Sequence, residues 1–372
     1  MERFEIQPVL SSEIPDVASF LSRWRGDWDE GSAVQHLDAH GVERRLRWLL
    51  LENPVTAEGP QYGFCVRDNQ GIIRGLTLCF PEAFLAADRR LLGLCSGSFF
   101  VEPSARILGF YLFKKRYLNL SGYSFFFATT CNTNGAALWQ TLGGCAVPNS
   151  ETEYILPLRL DKLLPTLVNG RTSSRVALGM ARAAGRCFNP ILRVLERQSA
   201  DLTVQPCQDW QKLSDLFHRH RSTKWITTDR SAEFLRWRYE QSSPHYPSDT
   251  YLFSDKRGNE GWFALGTTIR GRQDQIRGSL LLDAIWPREK MSFKAVFSGI
   301  VQSVGAKADA IFFRPRLGLD YGECSRWIVR RRLEAPQAFV ITRKGDPLAT
   351  AASLDLVFAD GNSALPIALQ VV

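Results

Sequence analysis

Phe99-Phe100-Val101-Glu102-Pro103-Ser104-Ala105-Arg106-Ile107-Leu108-Gly109-Phe110-Tyr111-Leu112-Phe113 runs from an apolar, aromatic segment through a proline turn into a helical one. A strand that ends at a proline and leads through Arg-x-x-Gly into an apolar helix leaves free backbone N–H groups at the helix start. Those donors, the helix dipole and Arg106 make an anion site suited to a pyrophosphate. Gly109 lacks a Cβ and is expected to let a ligand approach the backbone closely.

Downstream, Tyr123 to Thr130 reads as an aromatic-rich strand. Cys131-Asn132-Thr133-Asn134-Gly135-Ala136-Ala137-Leu138-Trp139-Gln140-Thr141-Leu142-Gly143-Gly144 follows it. Thr133 or Asn134 is suited to cap a helix, and Gly143 or Gly144 to end it. The chain then enters a further strand, Glu153 to Leu158, expected to be the last of the first half.

This order resembles the GNAT superfamily of acyl-CoA-dependent N-acyltransferases, whose pattern is a strand, V-x-P-x-x-R-G-x-G-[IV]-G, a helix, a strand, then N-x-x-A-x-x-L-Y-x-x-L-G-F. Val101, Pro103, Arg106 and Gly109 fall on the first motif; Asn134 and Ala137 fall on the start of the second, and Leu138, Leu142 and Gly143 on its later positions in a register two residues earlier. The resemblance covers residues 4 to 158 and extends more faintly over 202 to 362. It implies that the backbone N–H groups of Arg106, Ile107, Leu108, Gly109 and Phe110 hold the pyrophosphate of acetyl-CoA or another acyl-CoA. It also implies that Phe100 and Val101 pair with the pantetheine arm and that Asn134 contacts the donor. Ile107 and Tyr111 depart from the family glycines, which narrows the phosphate loop. Trp139 stands where the family often has a Tyr that protonates the leaving thiolate.

Amine acylation needs a base for the ammonium proton and a donor for the tetrahedral oxyanion. Glu102, at the end of the donor strand, is the first base candidate, with Tyr123 and Glu153 behind it. The bland reading of Glu102 is an exposed loop carboxylate.

A repeat organises the rest. Ile6-Gln7-Pro8 is matched by Val204-Gln205-Pro206, and Leu46-Arg47-Trp48 ahead of Pro54 by Leu235-Arg236-Trp237 ahead of Pro244. Each half then has a strand, an Asp-led turn (Asp68 to Gly71; Asp255 to Gly261) and another strand, and a longer strand ending before Pro103 or Pro287. The expected fold is therefore α/β with mixed sheets, as two tandem GNAT-like domains, each a central mixed sheet flanked by helices. The expected divisions are 1–158 for the donor-binding half, 159–200 for a basic helical connector and 201–372 for a degenerate half. In that second half, Leu280 to Pro287 leads into Arg288-Glu289-Lys290-Met291-Ser292 without glycine, a poor phosphate cradle. Asp283 in this apolar strand is costly unless paired, so it reads either as a catalytic group or as half of an ion pair with an Arg such as Arg277. His218 and His220 lie near the end of a helix and read as solvated.

The connector carries Arg171, Arg175, Arg182, Arg186, Arg193 and Arg197 among Ala, Leu and Val, with a break expected near Asn189-Pro190. It reads as a solvated basic face, or as a docking surface for an acidic carrier protein, RNA or membrane. The 372 residues exceed one core, and 45% hydrophobic with 23% charged residues excludes a disordered chain. A net charge of +8 favours anionic partners such as CoA, tRNA, an acidic acyl carrier protein or lipid heads. The eight cysteines show no CxxC pair and no metal-ligand spacing, so neither zinc nor a disulfide framework is expected. With no secretory signal pattern and no apolar run of about 18 residues, a cytoplasmic protein without a transmembrane segment is expected.

Three functions follow. The first is an N-acyltransferase moving an acyl group from acyl-CoA, or acyl carrier protein, to an amine on a sugar or small metabolite. The second is a tRNA-dependent aminoacyltransferase of the Fem type, which the basic balance and the degraded glycine loop suit. The third is a binding module with both donor sites decayed.

Overall fold

A computed structural model describes residues 4–25, 38–56, 62–129, 131–169, 174–196, 202–241, 248–270, 276–314, 328–336 and 338–342. Arg171, Arg197, Pro244 and Cys324 lie outside them. The first half runs β1 (Glu5–Pro8), α1 (Ile14–Arg25), α2 (Ala39–Leu50), β2 (Gly63–Arg67), β3 (Ile73–Ala86), β4 (Arg89–Val101), α3 (Arg106–Tyr111), β5 (Phe125–Ala128), α4 (Thr133–Thr141), β6 (Cys145–Ala146) and β7 (Thr152–Pro157). An antiparallel helix pair, α5 (Leu160–Asn169) and α6 (Arg175–Glu196), leads onward. The second half runs β8 (Leu202–Pro206), α7 (Trp210–His220), β9 (Ile226–Thr228), α8 (Ala232–Leu235), β10 (Ser248–Asp255), β11 (Glu260–Arg270), β12 (Ile276–Ile285), α9 (Phe293–Val304), β13 (Ala310–Phe313), β14 (Val329–Arg332) and β15 (Phe339–Thr342).

Local chemistry explains the boundaries. Asp38 caps α2 by accepting from Gly41 N at 2.7 Å, Asp209 caps α7 through Lys212 N at 3.0 Å, and Ser231 caps α8 through Phe234 N at 3.3 Å. Helix α8 widens into a π turn over Arg236–Gln241. Two turns share one design: Asp68 Oδ1 accepts from Gln70 N and Ile72 N, and Asp255 Oδ1 from Arg257 N and Asn259 N. Gly71 and Gly258 each follow three residues later with φ of +77°.

Two mixed sheets result. One has the order β1-β2-β3-β4-β5-β15-β6, with β9 on the far part of β3; the other, from its matching edge, has β8-β10-β11-β12-β13-β7-β14. Each is antiparallel up to one parallel pair, β4 with β5 and β12 with β13. Beyond that pair each sheet takes a strand from the opposite half. β7 pairs with β13 and β14, while β15 pairs with β5 and β6. The strand Glu153 to Leu158, expected to close the first sheet, thus lies in the second. Satisfying the backbone of a short strand fixes no particular partner in sequence.

Strands β3 and β4 form one long hairpin that turns at Ala87 with φ of 51°, and β9 pairs with Phe84 to Ala86. One apolar core joins both halves, including Phe20, Leu46 and Phe84 from the first and Leu213, Trp237 and Trp262 from the second. The expected break at Asn189-Pro190 does not occur: α6 continues through it. Asn189 is used instead as a clamp, accepting from Leu160 N at 2.8 Å and donating to Asp161 at 2.6 Å. The cysteines among the described residues are free thiols.

Candidate functional site

β4 and β5 pair only from Gly93 to Cys95 against Phe125 to Phe127. β4 then runs on to Val101, held on its other edge by β3, whereas β5 stops at Ala128. Among the described residues the edge of β4 from Ser96 to Val101 therefore faces no strand. Unpaired backbone N–H and C=O groups along such an edge are ready partners for an extended, amide-bearing chain. Phe100 packs edge-on to Phe20 with centroids 5.9 Å apart, and Phe99 meets Phe113 at 5.6 Å, so the aromatic side chains anchor the strand from both faces.

At the end of this edge, Pro103–Ala105 form a single 3₁₀ turn and α3 begins at Arg106. No side chain caps α3. The Arg106 N–H is already taken by Pro103 O, so what this turn offers an anion is the exposed Arg106 side chain. Leu108 is half-buried; Ile107, Phe110 and Tyr111 face outward, with Ile107 86% exposed. Gly109 does not serve close ligand approach as expected. It is buried, and a Cβ there would lie 3.3 Å from Phe99 and Val101 side chains, so its lack of a Cβ lets α3 sit down on β4.

The second motif forms α4. Its cap is Asn132, accepting from Gly135 N at 2.8 Å, rather than Thr133 or Asn134. Asn134 is exposed in the first turn. Gly143, with φ of +84°, follows the end of the helix. Trp139 is core rather than donor-facing: it lies 5.2 Å from Phe113 and stacks on Phe339 at 6.4 Å, centroid to centroid. An apolar ring at a motif position satisfies the same sequence pattern by packing, which is why it misleads.

The expected acid–base groups are not brought together. Glu102 is bound to Arg74 Nη1 at 3.2 Å, and Arg74 also binds Asp68 at 2.8 Å, so Glu102 braces the end of the β3–β4 hairpin. Tyr123 is buried, and its hydroxyl has no hydrogen-bond partner among the described residues. Burial, with the Cys79 thiol nearby, pushes that phenol up to about 12. Glu153 is buried on β7 with Arg314 at 4.0 Å and Arg331 at 3.8 Å. Asp283 is also buried, and its pairing cation is Arg230 at 2.7 Å, not Arg277, which lies instead beside Asp309. Arg230 also donates to Thr228 O and stacks over Phe217 at 4.8 Å. Arg230 went unseen because only its position before the Ser231 cap marks it, and β9 delivers it to β12 across the core. Of the histidines, His218 is exposed and burial with Arg219 nearby holds His220 below its ordinary value.

The corresponding turn of the second half is closed. Ser292 caps α9 by accepting from Ala295 N at 3.3 Å, and Arg288 is caged by Trp225 and Trp286 at 5.1 and 5.2 Å. An occupied helix start has fewer donors left for a phosphate. Both halves part their parallel pair, β12 leaving β13 after Leu280 as β4 leaves β5 after Cys95; among the described residues the first half differs in that no side chain caps the helix that follows.

The fold recurs in solved structures. N-myristoyltransferase from Saccharomyces cerevisiae with bound myristoyl-CoA superposes with a TM-score of 0.57 at 10% identity, over 95% of this chain and 85% of that one. A GCN5-related N-acetyltransferase from Anabaena variabilis gives 0.56 at 10% identity, over 91% and 72%.

The chain has the GNAT fold.

A probable N-acyltransferase from Enterococcus faecalis is similar at the same level, with a TM-score of 0.57, 10% identity and 91% and 73% coverage. No known family profile and no curated protein matches the sequence. Within this GNAT fold the described residues contain no group of three His, Cys, Asp or Glu arranged for a metal ion, and no helix long and apolar enough to cross a membrane.

Proposed function

We propose that the chain is an N-acyltransferase built from two GNAT-like halves, in which only the first holds the acyl donor, a CoA thioester. The observation that carries this is the parting of β4 from β5 after Cys95, directly ahead of the uncapped start of α3. In this reading the pantetheine arm runs along Ser96 to Val101 as an added strand, and the pyrophosphate sits against the Arg106 side chain. Backbone N–H groups of the open β4 edge are then placed to stabilise the oxyanion. A myristoyl-CoA complex among the structural relatives is consistent with such a donor. An acidic carrier protein bearing the same phosphopantetheine arm presents the same chemistry to this edge. The acceptor is a small-molecule amine.

The test is thiol release from acetyl-CoA and a long-chain acyl-CoA, followed with an amine panel that includes amino sugars. Amine-dependent release from the wild type and its loss in Arg106→Ala support the reading; no release with any donor counts against turnover.

A second reading, a GNAT-like binding module without turnover, is favoured by the fixed positions of Glu102, Tyr123 and Asp283, each committed to a partner or to the core. It retains donor binding, so binding without release selects it.

A further inference from the structure

Helix α6 turns its apolar side outward. The side toward α5 is set by Gly185, where a Cβ would run into the backbone of Leu160 and Asp161, and by Asn189, which clamps both residues. At 100° per residue, Val176, Met180, Ala183 and Cys187 point away from that side. All four are exposed, Val176 by 72% and Met180 by 68%. Arg175, Arg182 and Arg186 are also exposed and, seven and four residues apart, form one row along a flank of this stripe. The sequence of α6 contains no acidic residue before Glu196.

We propose that this face of α6 docks the protein on the surface of an anionic phospholipid bilayer, the helix lying in the plane of the interface. An apolar stripe rimmed on one side by guanidinium groups has the division of an interfacial helix: the stripe enters the acyl boundary, while the arginine stems lie along it and their heads stay among the phosphates. Nucleic acid would reward the arginines but leave Val176 and Met180 in water. The net charge of +8 draws the whole chain toward a negative surface. The inference does not depend on donor chemistry, because no donor residue lies on α6.

The experiment is co-sedimentation of the full chain with vesicles of phosphatidylcholine alone, and with about 30% phosphatidylglycerol, at low and physiological salt. Two surface variants are compared, Val176→Asp with Met180→Asp, and Arg175→Glu with Arg186→Glu; urea midpoints report that each still folds. The expected result is sedimentation with the anionic vesicles only, weakened by salt and reduced at least about tenfold in either variant. Absence of sedimentation overturns the proposal, as does sedimentation unchanged in both variants. A wild-type dimer that Met180→Asp converts to monomer, without vesicle binding, assigns the stripe to a second copy and equally overturns it.

Discussion

Trp48 and Trp237 exchange hydrogen bonds: each indole Nε1 donates to the backbone carbonyl of the other, at 3.1 and 3.0 Å, across stacked rings 4.8 Å apart. They are 189 residues apart and each follows the same Leu-Arg pair. Such reciprocity is the signature of an isologous contact, in which one surface meets its own counterpart about a two-fold axis. It accords with two related halves facing one another through α2 and the π turn after α8.

Replacing either ring by Phe removes one donor and leaves a buried carbonyl unsatisfied, a cost of about 1–3 kcal/mol. Urea unfolding of Trp48→Phe, Trp237→Phe and the double variant is expected to give a lower midpoint for each and a coupling of about 0.5–3 kcal/mol. Strict additivity would show that the two bonds are independent.

Asp283 and Arg230 are expected to act on stability. Breaking a buried pair from one side leaves an uncompensated charge, so Asp283→Asn is expected to cost about 3–5 kcal/mol, and Arg230→Met with Asp283→Leu less than that. Loss of acyl transfer with no shift in the unfolding midpoint would instead place Asp283 in the chemistry.

Gly109→Ala puts a methyl 3.3 Å from the Phe99 and Val101 side chains, which must give by a few tenths of an ångström in the packing of α3 on β4. A loss of about 1–3 kcal/mol together with weaker CoA binding is expected. Gly143→Ala, strained at φ of +84° but at the end of α4, is expected to cost stability while leaving CoA affinity unchanged.

Acid is expected to loosen the α5–α6 hairpin. Hydrogen bonds from Arg159, then Asn189, hold the Asp161 carboxyl below its ordinary 3.8 against an opposing effect of burial. A depressed folded-state value means that the contribution is present above the unfolded value and is lost as pH falls through the folded one. Amide exchange in α5 and α6 should accelerate below about pH 4 in the wild type, and Asp161→Asn should remove that pH dependence.

What the sequence made legible was local. The Asp-led turns and the glycine after α4 follow from a few neighbouring residues and stand as expected. The strand exchange was not legible, because β15 offers four residues whose pairing with β5 crosses most of the chain. At the site, the strand–turn–helix order was readable, but side-chain roles were not. Gly109 serves packing, Trp139 is core, and Glu102 answers Arg74, the last two fixed by neighbours far off in sequence.

The most direct test of donor binding in the first half is calorimetric titration with CoA of the wild type, Arg106→Ala and, in the matching turn of the second half, Lys290→Ala. The account predicts roughly micromolar binding to the wild type, weakened about tenfold or more by Arg106→Ala and untouched by Lys290→Ala. No binding by the wild type, or an equal loss from Lys290→Ala, would contradict it.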